Sequence, residues 1–104
     1  MKARSIGELG EEIKKITNQL IVTVVEIDTL EETLSERLYN EEQEAHEILS
    51  AAVKKANQVF LKVGLRLNEI GSLQLMQSVF YSVPNNKPIS LINLAWNQVG
   101  EWES

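Results

Sequence analysis

Aliphatic side chains recur at heptad spacing along the first third of the chain. The spacing alternates between three and four residues, and eight of the nine positions are isoleucine or leucine. The series comprises Ile6, Leu9, Ile13, Ile16, Leu20, Thr23, Ile27, Leu30 and Leu34. Such a series places one apolar stripe along an α-helix and is typical of helices that pack together over a long distance. It predicts a long first helix over residues 5–38.

Residues 20–27 favour a different structure locally, because most of them are β-branched and suit a strand. A strand here would be mostly apolar on both faces and would need burial on both sides. The heptad series continues through the stretch, and a β-branched residue in a helix costs only roughly a few tenths of a kcal/mol. A continuous helix is the favoured prediction, and a strand over 20–27 is the alternative.

A second helix is predicted over residues 41–70, after a break at Tyr39 and Asn40. Asn40 is a suitable N-cap, because its side-chain oxygen can accept from the free amides of the next turn. Gly71 stands where the apolar stripe stops, and Gly64 indicates either a close helix approach or a bend. A tight connection would fold the two helices into an antiparallel hairpin. The alternative is one rod that continues through the break.

The final third of the chain is predicted to form two short helices, over residues 72–82 and 90–102. The proline-flanked segment 84–88 predicts a turn between them, and Ser90 is a candidate cap for the last helix. A β-hairpin around this turn is the alternative, although an isolated hairpin is marginal unless it packs on something else. The predicted fold class for residues 1–104 is a single all-α helical domain, a coiled-coil-like antiparallel hairpin of two long helices with two short C-terminal helices. Leu91, Leu94, Ala95 and Val99 are predicted to face inward.

Charge is unevenly distributed along the chain, whose formal net charge is −5. Residues 26–47 hold nine acidic side chains against Arg37 alone, whereas residues 54–66 carry three lysines, Arg66 and no acid. Proteins that bind nucleic acid need a basic surface for the phosphates, so this balance argues against direct nucleic-acid binding. A solvated acidic end of a helical protein is one interpretation of this segment. The alternative is a patch that docks a basic partner or the basic segment of a second copy. The predicted contact residues of this patch are Glu31, Glu32, Glu36, Glu41, Glu42 and Glu44.

The sequence contains no pattern of catalytic or ligand-binding residues. Its five glycines are scattered and form no phosphate-binding loop, and no nucleophile elbow is present. No cysteine is available for a disulfide or a thiolate metal site. His46 is the only histidine, and Gln43 replaces the glutamate that a Glu-x-x-His metal motif requires. We therefore predict no enzymatic activity, no cofactor and no metal.

The start of the chain, MKARSIGELGEEIKK, is charged throughout and lacks the apolar segment of a secretory signal. No apolar run is long enough to span a membrane. The lack of cysteine agrees with a reducing compartment. We expect a cytoplasmic protein that does not contact membranes.

Two groups of apolar side chains are candidates for contacts with other proteins. Trp96 and Trp102 suit partner binding because tryptophan is frequent at binding hot spots; the alternative is that Phe80 and one tryptophan complete the core. The first helix is apolar nearly all round at 20–27, and a partner helix covers only one side. The C-terminal helices or a second copy would cover the rest. The predicted oligomer interface comprises Leu20, Ile21, Val22, Val24, Val25 and Ile27.

These features predict a non-enzymatic protein–protein interaction module that acts through helical surfaces and forms a homo-oligomer. An assembly factor, adaptor, small chaperone-like subunit or structural subunit would fit this description. The alternative is an acidic inhibitor, or a nucleic-acid mimic, that blocks a basic site on its partner. Docking led by charge weakens steeply with salt, whereas helix packing does not, so salt response separates the two hypotheses.

Overall fold

A computed structural model describes residues 6–84 and 89–102 of the chain. Three helices account for most of these residues: α1 (Ile6–Tyr39), α2 (Gln43–Ser82) and α3 (Ile89–Trp96). The two long helices pack against each other, and α3 packs on α2. The predicted fold class is confirmed. Residues 85–88, which include most of the predicted turn, lie outside the described residues.

Residues 20–27 lie in the middle of α1, so the heptad series and not the β-branched composition decides their structure. Leu20, Val24 and Ile27 are buried together with side chains of α2. Packing of an apolar stripe on a second helix outweighs weak helix propensity. Thr23, the one polar member of the series, donates its hydroxyl to the carbonyl oxygen of Gln19 at 2.7 Å. Its hydroxyl is therefore satisfied within the helix.

The connection between α1 and α2 differs from the prediction. Glu42, not Asn40, directly precedes α2, and it makes no side-chain capping hydrogen bond. Glu41 takes a left-handed φ of 58°. The amides of Glu41 and Glu42 donate to the carbonyl oxygens of Leu38 and Arg37, each at 3.0 Å. This pair of hydrogen bonds is the Schellman motif, which terminates α1 and forms the turn. The predicted role of Asn40 as the N-cap of α2 is therefore wrong.

A non-helical pair, Gly71 and Ser72, breaks α2. Ser72 takes φ 57° and ψ −155°, a conformation that glycine populates almost alone. The chain bends back at this point. The indole of Trp96 lies against Gly64, and the ring of Phe80 lies 6.1 Å from this indole. In a straight helix, residues 64 and 80 would be about 24 Å apart. The part of α2 beyond the break corresponds to the first predicted short helix.

One core joins the two parts of α2 to α1 and α3. The last predicted helix ends at Trp96, and the turns that follow carry Val99 and Trp102 into the same core. The buried side chains of this core are Leu20, Val24, Ile27, Ala56, Phe60, Val63, Leu67, Met76, Val79, Val83, Ile92, Trp96, Val99 and Trp102.

Gly64 explains how closely α3 approaches α2. The indole Nε1–H of Trp96 donates to the backbone carbonyl oxygen of Phe60 at 2.7 Å, in a fully buried position. A Cβ atom added to Gly64 would lie 2.6 Å from Cδ1 and from Nε1 of this indole. A residue without a side chain is therefore needed for the indole to reach the helix backbone, and this contact fixes α3 on α2.

Candidate interaction surfaces

The side of α1 turned away from α2 carries an apolar patch. Val22 and Val25 are 53% and 44% exposed, and half-buried Ile21 borders them. Residues two apart in a helix project about 200° apart, so Val22 lies on the side opposite the buried Leu20. The described residues of the C-terminal part, up to 84 and over 89–102, leave these two valines exposed.

The structure divides the six residues predicted as an oligomer interface. Leu20, Val24 and Ile27 belong to the core of the chain itself, where they pack with side chains of α2. Only Val22 and Val25 are exposed, with Ile21 beside them. The predicted interface is therefore available to a partner only through this second group.

Side chains of opposite charge flank the apolar patch along α1. Lys15 precedes it, Glu32 follows it, and neither makes an ion pair with the described residues. Six exposed residues spaced alternately by three and four positions form what we call the outer face. The outer face comprises Lys15, Asn18, Val22, Val25, Thr29 and Glu32.

The outer face is a second heptad series, on the side of α1 opposite the series that packs on α2. Sequence reasoning missed its polar members, Lys15, Asn18 and Thr29. The signal was present in their spacing relative to Val22 and Val25. The heptad pattern of apolar residues does not reveal this series, because only two of its members are apolar.

The residues around the α1–α2 connection form an acidic surface. Of the six predicted contact residues, Glu31 is half-buried and the other five are exposed. Arg37 lies among them, with Nε 3.4 Å from Oε1 of Glu42 and Nη2 3.8 Å from Oε2 of Glu44. Exposed ion pairs of this kind contribute about 0–1 kcal/mol, so Glu42 and Glu44 can exchange this partner for another at little cost.

Arg66, which the sequence groups with the lysines of the basic segment, is engaged within the chain. Its guanidinium makes a two-pronged contact with the carboxylate of Glu12, in which Nη2 donates to Oε1 at 2.9 Å and Nε donates to Oε2. Its Nη1 donates to Glu69 at 3.0 Å. The hydrogen bonds to Glu12, and then the one to Glu69, raise the pKa of Arg66 above its ordinary value. Arg66 therefore ties α2 to the beginning of α1.

The structure places both tryptophans in the core. Trp96 is fully buried and Trp102 is 8% exposed, and their rings meet edge to face at 5.0 Å. The indole Nε1–H of Trp102 donates to Oδ1 of Asn93 at 2.8 Å, and the ring of Phe80 lies 5.1 Å away. In this conformation both indoles complete the core, and a role for them in partner binding stays a prediction.

A further apolar patch lies where α3 meets α2. Leu94 of α3 is 62% exposed. The prediction that Leu94 faces inward is wrong, because Ile92 and Trp96 fill the buried side of α3. An open groove of about 270 Å³ runs beside Leu94. Its lining residues are Asn57, Leu61, Leu91, Leu94, Ala95 and Gln98.

No protein family, curated protein or solved structure matches this chain. None of the described helices combines the length and the apolar character that crossing a bilayer requires. Within residues 6–84 and 89–102, no three side chains of histidine, aspartate or glutamate are grouped so that they could hold a metal ion.

Proposed function

We propose that this chain is a non-enzymatic protein–protein interaction module that acts through helical surfaces and self-associates through the outer face of α1. The exposed pair Val22 and Val25 carries the proposal. The core side chains are only 0–8% exposed, so the fold is closed without these two valines. Burying apolar surface stabilises a complex by roughly 25 cal/mol per Å², and an apolar patch on one helix face provides such surface.

The second apolar patch, at Leu94 and the groove beside it, supports an adaptor, assembly or structural role. A chain with two separate contact surfaces can bind a second copy through one and another protein through the other. A small chaperone-like subunit would use its surfaces in the same way. We place this activity in the cytoplasm, in line with the lack of cysteine.

Sedimentation velocity at about 50 μM tests self-association, since a complex that dissociates in the low micromolar range is assembled at this concentration. We expect a dimer or larger species for the unmodified chain. Val22→Glu and Val25→Glu should give monomers with unchanged helix content, because both positions are exposed and glutamate is a good helix former. The matched control is Ile48→Glu, at a position of α2 that is 38% exposed, and it should keep the mass of the unmodified chain.

A monomeric mass for the unmodified chain would contradict the proposed self-association. So would a dimer that persists in both valine variants, because the outer face would then not be the contact. Equal dissociation by Ile48→Glu would also contradict it, since any added charge would then have the same effect.

The acidic surface at the α1–α2 connection supports a second candidate function. Its exposed carboxylates suit an inhibitor, or a nucleic-acid mimic, that occupies a basic site on a partner. The affinity of such a complex should fall steeply above about 0.15 M salt. The affinity of a contact centred on Val22 and Val25 should fall much less over the same range, because apolar burial is not screened by salt.

A further inference from the structure

We infer that the outer face binds a second copy of this chain in the antiparallel direction, with Lys15 of each copy against Glu32 of the other. The two α1 helices would meet at Val22 and Val25, close to a twofold axis. This inference rests on the proposed self-association and adds its orientation and register.

The order of residues along the outer face is symmetric about the midpoint between Val22 and Val25. Asn18 and Thr29 are equally far from this midpoint, and so are Lys15 and Glu32. In a twofold dimer, residue i contacts residue j of the other copy and j contacts i. An antiparallel pair therefore brings valine to valine, amide to hydroxyl and lysine to glutamate.

A parallel pair would bring like charges together. Lys15 would face Lys15, Glu32 would face Glu32, and each contact would oppose association. The antiparallel pair turns the same side chains into contacts of opposite charge. Both side chains are exposed and make no ion pair within the described chain, so neither has to leave a partner.

The charges also limit the length of the contact. Glu11 and Glu36 are the next residues of the series outward, and the same register would place these two carboxylates opposite each other. The contact therefore ends at Lys15 and Glu32, which lie about 26 Å apart along the helix. A contact of this length with two valines at its centre predicts a reversible dimer rather than a permanent one.

Charge reversal tests the orientation by measuring the dimer dissociation constant. Each of Lys15→Glu and Glu32→Lys creates two like-charged contacts per antiparallel dimer, so we expect each to raise the constant about tenfold. The double variant Lys15→Glu/Glu32→Lys restores both pairs with their signs exchanged, and we expect a return to within about threefold of the original value. Lys62→Glu makes the same charge change as Lys15→Glu at an exposed position of α2, and it should leave the constant unchanged. Circular dichroism should show equal helix content in all variants.

Weakening by both single variants and recovery in the double variant would establish the antiparallel contact. A parallel dimer would be insensitive to either single reversal, because like charges already face each other in it, and that result would overturn the inference. A double variant as weak as the singles would overturn it as well. A dimer that depends on Val22 and Val25 but is insensitive to these charge reversals contradicts the inferred orientation and register and leaves the proposed self-association standing. A monomeric unmodified chain contradicts the proposed function too.

Discussion

Replacing Gly64 by alanine should destabilise the fold, although alanine favours helices. The added methyl group would lie 2.6 Å from Cδ1 and Nε1 of the Trp96 indole. The indole is fully buried, and its N–H is held by the carbonyl oxygen of Phe60 at 2.7 Å. It cannot move away without disturbing the core and also breaking this hydrogen bond.

Three effects determine how much Gly64→Ala changes the free energy of unfolding. Exchanging glycine for alanine inside a helix stabilises the folded state by about 1 kcal/mol. Forcing a methyl group into a packed core costs about 1–3 kcal/mol, and a buried N–H without an acceptor costs about 1–3 kcal/mol. Taking the middle of each range, Gly64→Ala should lower the free energy of unfolding by about 3 kcal/mol.

Urea unfolding followed by circular dichroism measures this change. With a slope of about 2 kcal/mol per molar urea, the midpoint should fall by about 1.5 M. Gly10→Ala is the matched control, because Gly10 is exposed on α1 and nothing lies within 4 Å of its added Cβ. It should raise the free energy of unfolding by about 0.5–1 kcal/mol. If both variants were stabilised alike, the close contact between Trp96 and the α2 backbone would be refuted.

Four further substitutions test the backbone at Glu41 and Ser72 and the helical phase of α1. Glu41→Gly should raise the free energy of unfolding by about 0.5–1 kcal/mol, because glycine accepts the left-handed φ of 58° without strain; a lower urea midpoint would argue against the Schellman turn. Ser72→Gly should raise the free energy of unfolding by about 1 kcal/mol for the same reason. An unchanged thermal unfolding temperature would argue against the positive φ of Ser72 at the break in α2. Val24→Glu should abolish the cooperative unfolding transition, because it buries a charge. The neighbouring Val25→Glu should keep a cooperative transition and, at protein concentrations too low for the dimer to form, should unfold at the same urea concentration as the unmodified chain. Equal behaviour of these two valine variants would contradict the helical phase.

The sequence was sufficient for the fold class because its strongest pattern is long-range. The heptad series of α1 marks one side of the helix over nine positions, and a local preference for strand at 20–27 cannot override packing along that whole side. The same reasoning found the region that carries Val22 and Val25. It could not separate them from Val24, whose burial depends on where α2 and the C-terminal segment pack.

The errors arose where one residue departs from its usual conformation or where a helix is short. Glu41 and Ser72 occupy backbone conformations that favour glycine, and composition gives no sign that the surrounding structure imposes them. The eight residues of α3 define its apolar side poorly, so Leu94 was placed inward. The contact between Trp96 and Gly64 joins residues far apart in sequence, and only the folded chain brings them together.

Disulfide formation between single-cysteine variants tests the proposed antiparallel contact most directly, because the chain has no cysteine of its own. Asn18→Cys and Thr29→Cys are mixed in equal amounts and oxidised mildly. We expect a mixed disulfide between position 18 of one copy and position 29 of the other, and little linking of either variant to itself. In the antiparallel dimer the two copies of residue 18 would be offset by the distance between residues 18 and 29 along one helix, about 16 Å. A disulfide spans less than half that distance. Preferred linking of each variant to itself, or no linking of the mixture at about 50 μM, would contradict the antiparallel contact.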